Sequence, residues 1–305
     1  MFQKHFSDLL MITSFSNSKF EYSINTLYSM ILADPYMSIL LIDLGIKPKK
    51  LEVLLSHIHS LHEIQEKMRS NGIIAYRKIF WKNLPTWMNL RSEEGKSIRG
   101  GNAWKLFVIS DAFFEWKSCV GWIDGGNIIV DGLSREMTAV RMHGVYSPRS
   151  SGSLGEWTAK NMRSFLRKNN FVETIDKEGP NCMAGIFFID YSHLYTHHIV
   201  QAMKECAFTK KCLAPRGADL ANHRFDQSLL SILFNSYHIP RVSNGQFQFH
   251  PALKNMNIDA TPLLHNLMLM IQVKYRIYFS NEEIETNLLK LSNVTIINTS
   301  RQLDF

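Results

Sequence analysis

Leu9-Leu10-Met11-Ile12-Thr13-Ser14-Phe15 is the stretch that decides the fold. It is a short apolar run closing on small hydroxyl residues, the pattern of a strand buried on both faces that opens into a loop. Residues 19–32 then place Ile24, Leu27, Tyr28 and Ile31 at helical spacing. Residues 38–44 (SILLIDL) form a second buried strand, closed by Gly45. In residues 51–68, Leu51, Leu54, Leu55, Ile58, Leu61, Ile64 and Met68 share one helical stripe, and residues 73–80 read as a third strand. Three strands separated by helices imply right-handed crossovers and a parallel sheet.

Further along, a polar, glycine-containing stretch precedes a helix over residues 103–116 and a strand over 119–123, which runs into Asp124-Gly125-Gly126-Asn127. Residues 128–130 resume as a short strand. Residues 144–158 are rich in Ser and Gly and read as a loop near a site. Helices are expected over 161–168, 197–206 and 226–237, a buried strand over 183–189, and a helical tail over 263–279. No repeat, low-complexity tract or linker is visible. One α/β domain with a divergent C-terminal helical part is the simplest reading.

The chain has 305 residues, 45% hydrophobic and 20% charged, which excludes a disordered or fibrous protein and leaves enough chain to bury a core without staples. Its net charge of +7 suits anionic partners. The cationic residues are scattered rather than gathered in a stripe, so nucleic acid is not the expected partner. No apolar run is long enough to span a membrane, and the N-terminus is not a signal peptide. The chain reads as soluble, although one that had lost an anchor would look the same. Cytoplasmic and Golgi or ER-lumenal locations both fit, depending on the source and on such an anchor. None of the four cysteines forms a C-x-x-C pair. They read as buried thiols, with a Cys206–Cys212 disulfide in an oxidising compartment.

Asp124 closes a strand and precedes two glycines, so it can place a carboxylate at the ligand-binding edge of the sheet and hold a divalent cation there. Asp-Gly-Gly is also an ordinary turn. His223-Arg224-Phe225-Asp226-Gln227-Ser228 precedes an apolar helix. Asp226 and Gln227 either face a cleft or merely start the helix. Lys105 and Arg99 flank a Gly-Gly pair and suit a diphosphate, or else a solvated cationic face. Glu156 beside Trp157 suits a sugar, by hydrogen bond and stacking, or else a helix cap. His250 could complete a metal site, though lone histidines are more often structural. The motifs of P-loop hydrolases, dinucleotide oxidoreductases, zincins and serine hydrolases are absent.

In order, the chain carries Ile12-Thr13-Ser14-Phe15-Ser16, Ile42-Asp43-Leu44-Gly45, Tyr76-Arg77-Lys78, Ala103-Trp104-Lys105 and Trp122-Ile123-Asp124. Gly155-Glu156-Trp157-Thr158, Cys212-Leu213-Ala214-Pro215 and the segment at 223–228 complete the series. This order resembles the nucleotide-diphospho-sugar transferases of the GT-A type, over roughly residues 9–240. The resemblance implies a Rossmann-like, mostly parallel sheet flanked by helices. The transferase domain would fill residues 1–255, with a helical extension over 256–305 packed on it. It implies a hexosyltransferase with a nucleotide-diphosphate sugar donor, a glycan, lipid or protein hydroxyl acceptor, and Mn²⁺ or Mg²⁺. Thr13, Ser14, Asp43, Arg99, Lys105 and Gln227 would contact the donor, and Asp124 and His250 the metal. Asp226, then Glu156, would be the catalytic carboxylates. Gly126 stands where the family's metal motif has its second acid, which weakens a hard-cation site unless Asp131 or His250 compensates. The alternative is a non-catalytic relative that binds carbohydrate or a partner.

Overall fold

The structure, a computed structural model, describes residues 8–89, 99–129, 132–240 and 247–248. It opens with β1 (Leu9–Phe15), α1 (Phe20–Ala33), β2 (Ser38–Asp43), α2 (Pro48–Lys67) and β3 (Ile74–Lys78). A single turn, α3 (Thr86–Asn89), leads on to α4 (Ala103–Trp116), β4 (Cys119–Ile123) and β5 (Ile128–Ile129). Then come α5 (Ser134–His143), β6 (Val145–Tyr146), β7 (Arg149–Ser153), α6 (Leu154–Trp157) and α7 (Lys160–Lys168). The remainder is β8 (Pro180–Cys182), β9 (Ile186–Asp190), α8 (Leu194–Phe208), α9 (Lys210–Leu213), α10 (Asp226–Ser236) and β10 (Phe247–Gln248). Six strands form one sheet in the order β3-β2-β1-β4-β9-β6. The β1–β2 and β2–β3 pairs are parallel and β6–β9 is antiparallel. The chain is a mixed α/β protein with a mostly parallel central sheet flanked by helices. Among the described residues no helix is long and apolar enough to cross a membrane.

The described residues group into two compact units, 8–79 with 123–129, 132–133 and 247–248, and 80–89 with 99–122 and 134–240. In the first unit, β1 and β2 are buried at every position but Ser14, as expected for parallel strands covered on both faces. Met11, Ile12, Phe15, Ile39 and Leu41 are fully buried there, with Leu27 of α1 and Leu54 and Leu61 of α2. Pro48 occupies the first turn of α2, where its missing N–H costs nothing.

In the second unit, α4 and α8 are joined by Ser110, whose hydroxyl donates to the Val200 carbonyl at 3.2 Å. Phe107 packs edge-on against Phe208. A Cys206–Cys212 disulfide, with Cα atoms 5.2 Å apart, fastens the end of α8 to α9. Cys119 and Cys182 are buried thiols outside the disulfide.

The expected loop at 144–158 is instead β6, β7 and α6. Its strand was hidden because β7 is largely exposed and polar, so no apolar alternation marks it. Ser153 and Glu156 form a capping box that starts α6, a signal present in the sequence as Ser-x-x-Glu. Helix α5 was also missed, since it buries only Glu136, Met137 and Val140. The helix expected over 263–279 lies outside the described residues.

Candidate functional site

Three consecutive left-handed residues start the site in the second unit. Gly100 (φ 50°), Gly101 (φ 58°) and Asn102 (φ 61°) precede α4. A Cβ on Gly100 would lie 2.4 Å from the Met88 Cα, and one on Gly101 would lie 2.7 Å from the Phe225 ring. Both positions therefore need glycine, for conformation and for space. Asn tolerates the third left-handed position better than other side chains do. The Asn102 amide then donates to Asp226 Oδ1 at 3.1 Å.

One turn into α4, Lys105 is buried. Its Nζ lies 3.1 Å from Asp226 Oδ2, donates to the Ala184 carbonyl at 2.6 Å, and sits 4.9 Å from the centre of the Trp122 ring. The resemblance implies a diphosphate ligand at Lys105. The geometry instead directs its ammonium onto an internal carboxylate and an internal carbonyl.

Asp226 is the first residue of α10, where the helix dipole favours a negative charge. It is not the cap. That position belongs to Phe225, held at φ 49° and ψ −113°, a conformation costly for a residue with a side chain. Gln227, next in line, is half-buried.

The segment before α10 is fixed from behind. His223 is fully buried, accepts the Ala159 N–H at Nδ1 (3.3 Å) and meets the Leu213 carbonyl at Nε2 (2.9 Å). Since Nδ1 accepts, the proton resides on Nε2 and the ring is neutral. Burial pushes its pKa down to about 4. The Arg224 guanidinium lies 4.0 Å from the centre of the Trp157 ring, and the Ser228 hydroxyl donates to the Trp157 carbonyl at 2.6 Å. The Trp157 ring, expected to stack on a sugar, thus carries Arg224. Glu156 is exposed, and its carboxylate accepts the Ser153 N–H within the capping box. Arg99 is half-buried, with its guanidinium 4.8 Å from the centre of the Trp81 ring.

The first unit holds the other expected residues. Thr13 is fully buried, and among the described residues its hydroxyl has no hydrogen-bond partner. Ser14 is half-buried, and its carbonyl accepts the Ser23 hydroxyl at 3.0 Å. Asp43 fastens its own loop. Its Oδ1 accepts the N–H groups of Gly45 and Ile46, each at 2.7 Å, and its Oδ2 accepts the Tyr76 hydroxyl at 2.6 Å.

Asp124 is half-buried at the end of β4, and its carbonyl accepts the Asn127 N–H at 3.0 Å. A Cβ on Gly125 would meet the Ser23 hydroxyl at 2.2 Å and the Ser14 carbonyl at 2.8 Å. Gly126 has φ 110° and donates its N–H to the Thr26 hydroxyl at 2.8 Å. The position of the missing second acid is thus a backbone conformation that a carboxylate-bearing residue would occupy only under strain. Among the described residues no group of three or more His, Cys, Asp or Glu side chains could hold a metal ion. His250 and Asp131 lie outside the described residues.

Two of the expected residues, Lys105 and Asp226, are in direct contact. Asn102 and Phe225, which complete their cluster, escaped sequence reasoning. The Gly-Gly-Asn tripeptide was the available signal, because it announces successive positive φ angles.

No family model matches the sequence. Over an alignment of 161 positions that covers 46% of this chain, the sequence is 27% identical to adenylosuccinate synthetase of Mycosarcoma maydis. The match covers 35% of that protein, so the chain spans about a third of the length of the curated relative it matches. Among solved structures, the chain is similar to the galactosyltransferase LgtC in complex with donor and acceptor sugar analogues. The TM-score is 0.49 at 12% identity, over 91% of this chain and 99% of that one. It is also similar to the mannosyltransferase Ktr4p of S. cerevisiae in complex with GDP, with a TM-score of 0.49 at 9% identity over 91% and 84%. For core-mannan synthase A of Aspergillus fumigatus in its Mn/GDP form, the values are 0.46 and 9%, over 76% and 70%.

Proposed function

We propose that this chain is a GT-A-type glycosyltransferase that moves a hexosyl unit from a nucleotide-diphosphate sugar to a hydroxyl acceptor on a glycan, lipid or protein. The observation that carries the reading is the buried contact between Lys105 and Asp226 at the first turn of α10. Glycosyl transfer develops positive charge at the anomeric carbon while a diphosphate departs. A carboxylate held by an ammonium, an amide and a helix start is pre-organised to stabilise that charge without moving. Asp226 takes this role, and Lys105 and Asn102 position it. Gln227 and Arg99, both half-buried, are proposed to meet the donor. Glu156 remains the second candidate carboxylate.

The test is thermal denaturation with uridine or guanosine diphosphate, with and without Mn²⁺, followed by a nucleotide-sugar hydrolysis assay. A raised melting temperature, and hydrolysis lost in Asp226→Ala, is the expected result. No shift with any nucleotide sugar at saturation would overturn the reading. The single acid of the Asp124-Gly125-Gly126 turn favours a second reading, a binder without chemistry. Equal background hydrolysis in wild type, Asp124→Ala and Asp226→Ala would favour it.

A further inference from the structure

We propose that helices α7 and α9 form a cationic docking surface for an anionic lipid bilayer. Along the chain the basic residues are scattered, but folding gathers seven of them on adjoining elements of the second unit. Four stand on α7, a helix with no acid in it: Lys160, Arg163, Arg167 and Lys168. Helix α9 adds Lys210 and Lys211, and the turn after it adds Arg216. All are exposed except Arg163, which is half-buried.

The charge on α7 is one-sided. Its buried residues, Met162 and Leu166, lie about one turn apart. At ~100° per residue, the four cations fall within an arc of about 140° on the other side. Helix α9 buries Cys212 and Leu213 and leaves both lysines in solvent. The two helices pack together, and the Asn161 amide donates to the Arg216 carbonyl at 3.1 Å. The Cys206–Cys212 disulfide fixes α9 in place.

Internal stability does not account for these charges. Among the described residues none of the seven forms an ion pair. Glu173 lines a pocket with Arg167 and Lys168 but pairs with neither. Glu205 accepts the Gln201 amide at 2.8 Å instead, and Asp219 the Ala221 N–H at 2.8 Å. Lys160 is the first residue of α7, where the helix dipole disfavours a cation. Clustered like charges repel one another, and a partner of opposite charge relieves that cost.

Spread and chemistry choose the partner. Lys160 and Lys168 are about 12 Å apart along the α7 axis at ~1.5 Å per residue, too far for one phosphate to meet both. Single-stranded nucleic acid wants aromatic rings open to its bases. Here Phe165 stacks on Phe171 (6.2 Å between centres, 25°), and Trp157 carries Arg224. A protein partner wants a buried apolar anchor. Among the described residues no exposed large apolar side chain lies on α7, α9 or the turn. An anionic bilayer needs neither feature. It presents a continuous sheet of phosphate and carboxylate groups, and each basic residue near it strengthens binding roughly fivefold.

The surface adjoins the proposed chemistry. Buried His223 accepts the N–H of Ala159, the residue before α7, and donates to the carbonyl of Leu213, the last residue of α9. Asp226 follows within the same segment. Both cationic helices are thus tied to the approach to that carboxylate, and docking holds the approach near the lipid surface. The docking itself stands on charge alone; that the bilayer carries the acceptor rests on the transferase reading above.

The test is cosedimentation of the full chain with vesicles of phosphatidylcholine, alone or mixed with phosphatidylserine, at low and at physiological salt. Duplex DNA, single-stranded DNA and poly-glutamate are the competing polyanions. Two variants each remove three of the cations: Arg167→Gln/Lys168→Gln/Lys211→Gln and Lys160→Gln/Lys210→Gln/Arg216→Gln. A control, Lys49→Gln/Lys78→Gln/Lys82→Gln, removes the same charge from exposed sites elsewhere. We expect binding to the phosphatidylserine vesicles alone, weakened by salt. It should fall about tenfold or more in each surface variant and stay within about threefold of wild type in the control. No binding to anionic vesicles, equal binding to neutral ones, equal loss in the control, or tighter binding to any of the polymers would overturn the assignment. Melting temperatures are measured throughout. The two surface variants share no residue, and the ranking of vesicles against polymers needs only the wild type. Nucleotide-sugar hydrolysis is assayed without lipid. Vesicle binding without hydrolysis keeps the docking surface and sinks the transferase reading. Hydrolysis without vesicle binding does the reverse.

Discussion

The Lys105 ammonium and the Asp226 carboxylate lie 3.1 Å apart with almost none of either side chain in contact with water. Such a pair is costly to assemble and costlier to halve. Removing one partner of a buried pair leaves an uncompensated charge, so Lys105→Met should lower stability by about 3–5 kcal/mol. The double variant Lys105→Met/Asp226→Leu should be less destabilised than the sum of the single variants. Urea denaturation of the four proteins in the cycle measures this. Strict additivity would mean that the contact does not exist in solution.

Asp226 and Glu156 are both acids near the start of a helix, but their surroundings differ. Asp226→Asn removes the charge while keeping the shape, and should reduce turnover by about 10²–10³, the usual cost of one transition-state electrostatic group. Glu156→Gln can still accept the Ser153 N–H, so the capping box survives. Turnover in that variant should stay within a few-fold of wild type. Steady-state kinetics on both would show the reverse ranking if Glu156 were the reacting carboxylate.

Gly126 explains why restoring the second acid will not create a metal site. At φ 110°, Gly126→Asp should cost about 1–3 kcal/mol in backbone strain. The expected outcome is a lower melting temperature and no gain in Mn²⁺ affinity by titration calorimetry. A tight new Mn²⁺ site at full stability would show that the turn is not held as described.

Buried His223 gives the protein an acid-labile element. Its folded pKa, about 4, lies below the ordinary histidine value of 6.5 because burial disfavours the imidazolium. The unfolded chain therefore binds more protons between these values, and stability falls as pH drops through that window. The loss reaches about 3 kcal/mol by pH 4, at ~1.4 kcal/mol per pH unit. His57, also lowered to about 4 by burial, acts in the same direction. Denaturation of His223→Asn at pH 7 and pH 5 should show a shallower pH dependence than wild type. An unchanged slope would place His223 in water.

The Cys206–Cys212 bridge closes a short loop, so its loss should cost about 2 kcal/mol by the chain-entropy estimate for a separation of 6. Thiol titration of the unfolded, unreduced chain should find two reactive groups, Cys119 and Cys182, and four after reduction. Four without reduction would refute the bridge.

Elements whose signal is local were legible in the residues alone. Strand β1 and helix α4 fall at the residues their apolar patterns mark, because a strand covered on both faces must be continuously apolar and a buried helix must repeat near every 3.6 residues. Elements with little to bury, α5 and β7, carried no such mark. The chemical residue types were also legible: Lys105, Glu156 and Asp226 all stand out in the chain. The surroundings of Lys105 and Asp226 came from residues distant in the chain. Lys105 turns inward because Asp226 arrives from 121 residues along the chain, and Glu156 turns back to its own helix start. Burial and pairing decide the energy of a charge, and neither is written in the neighbouring residues.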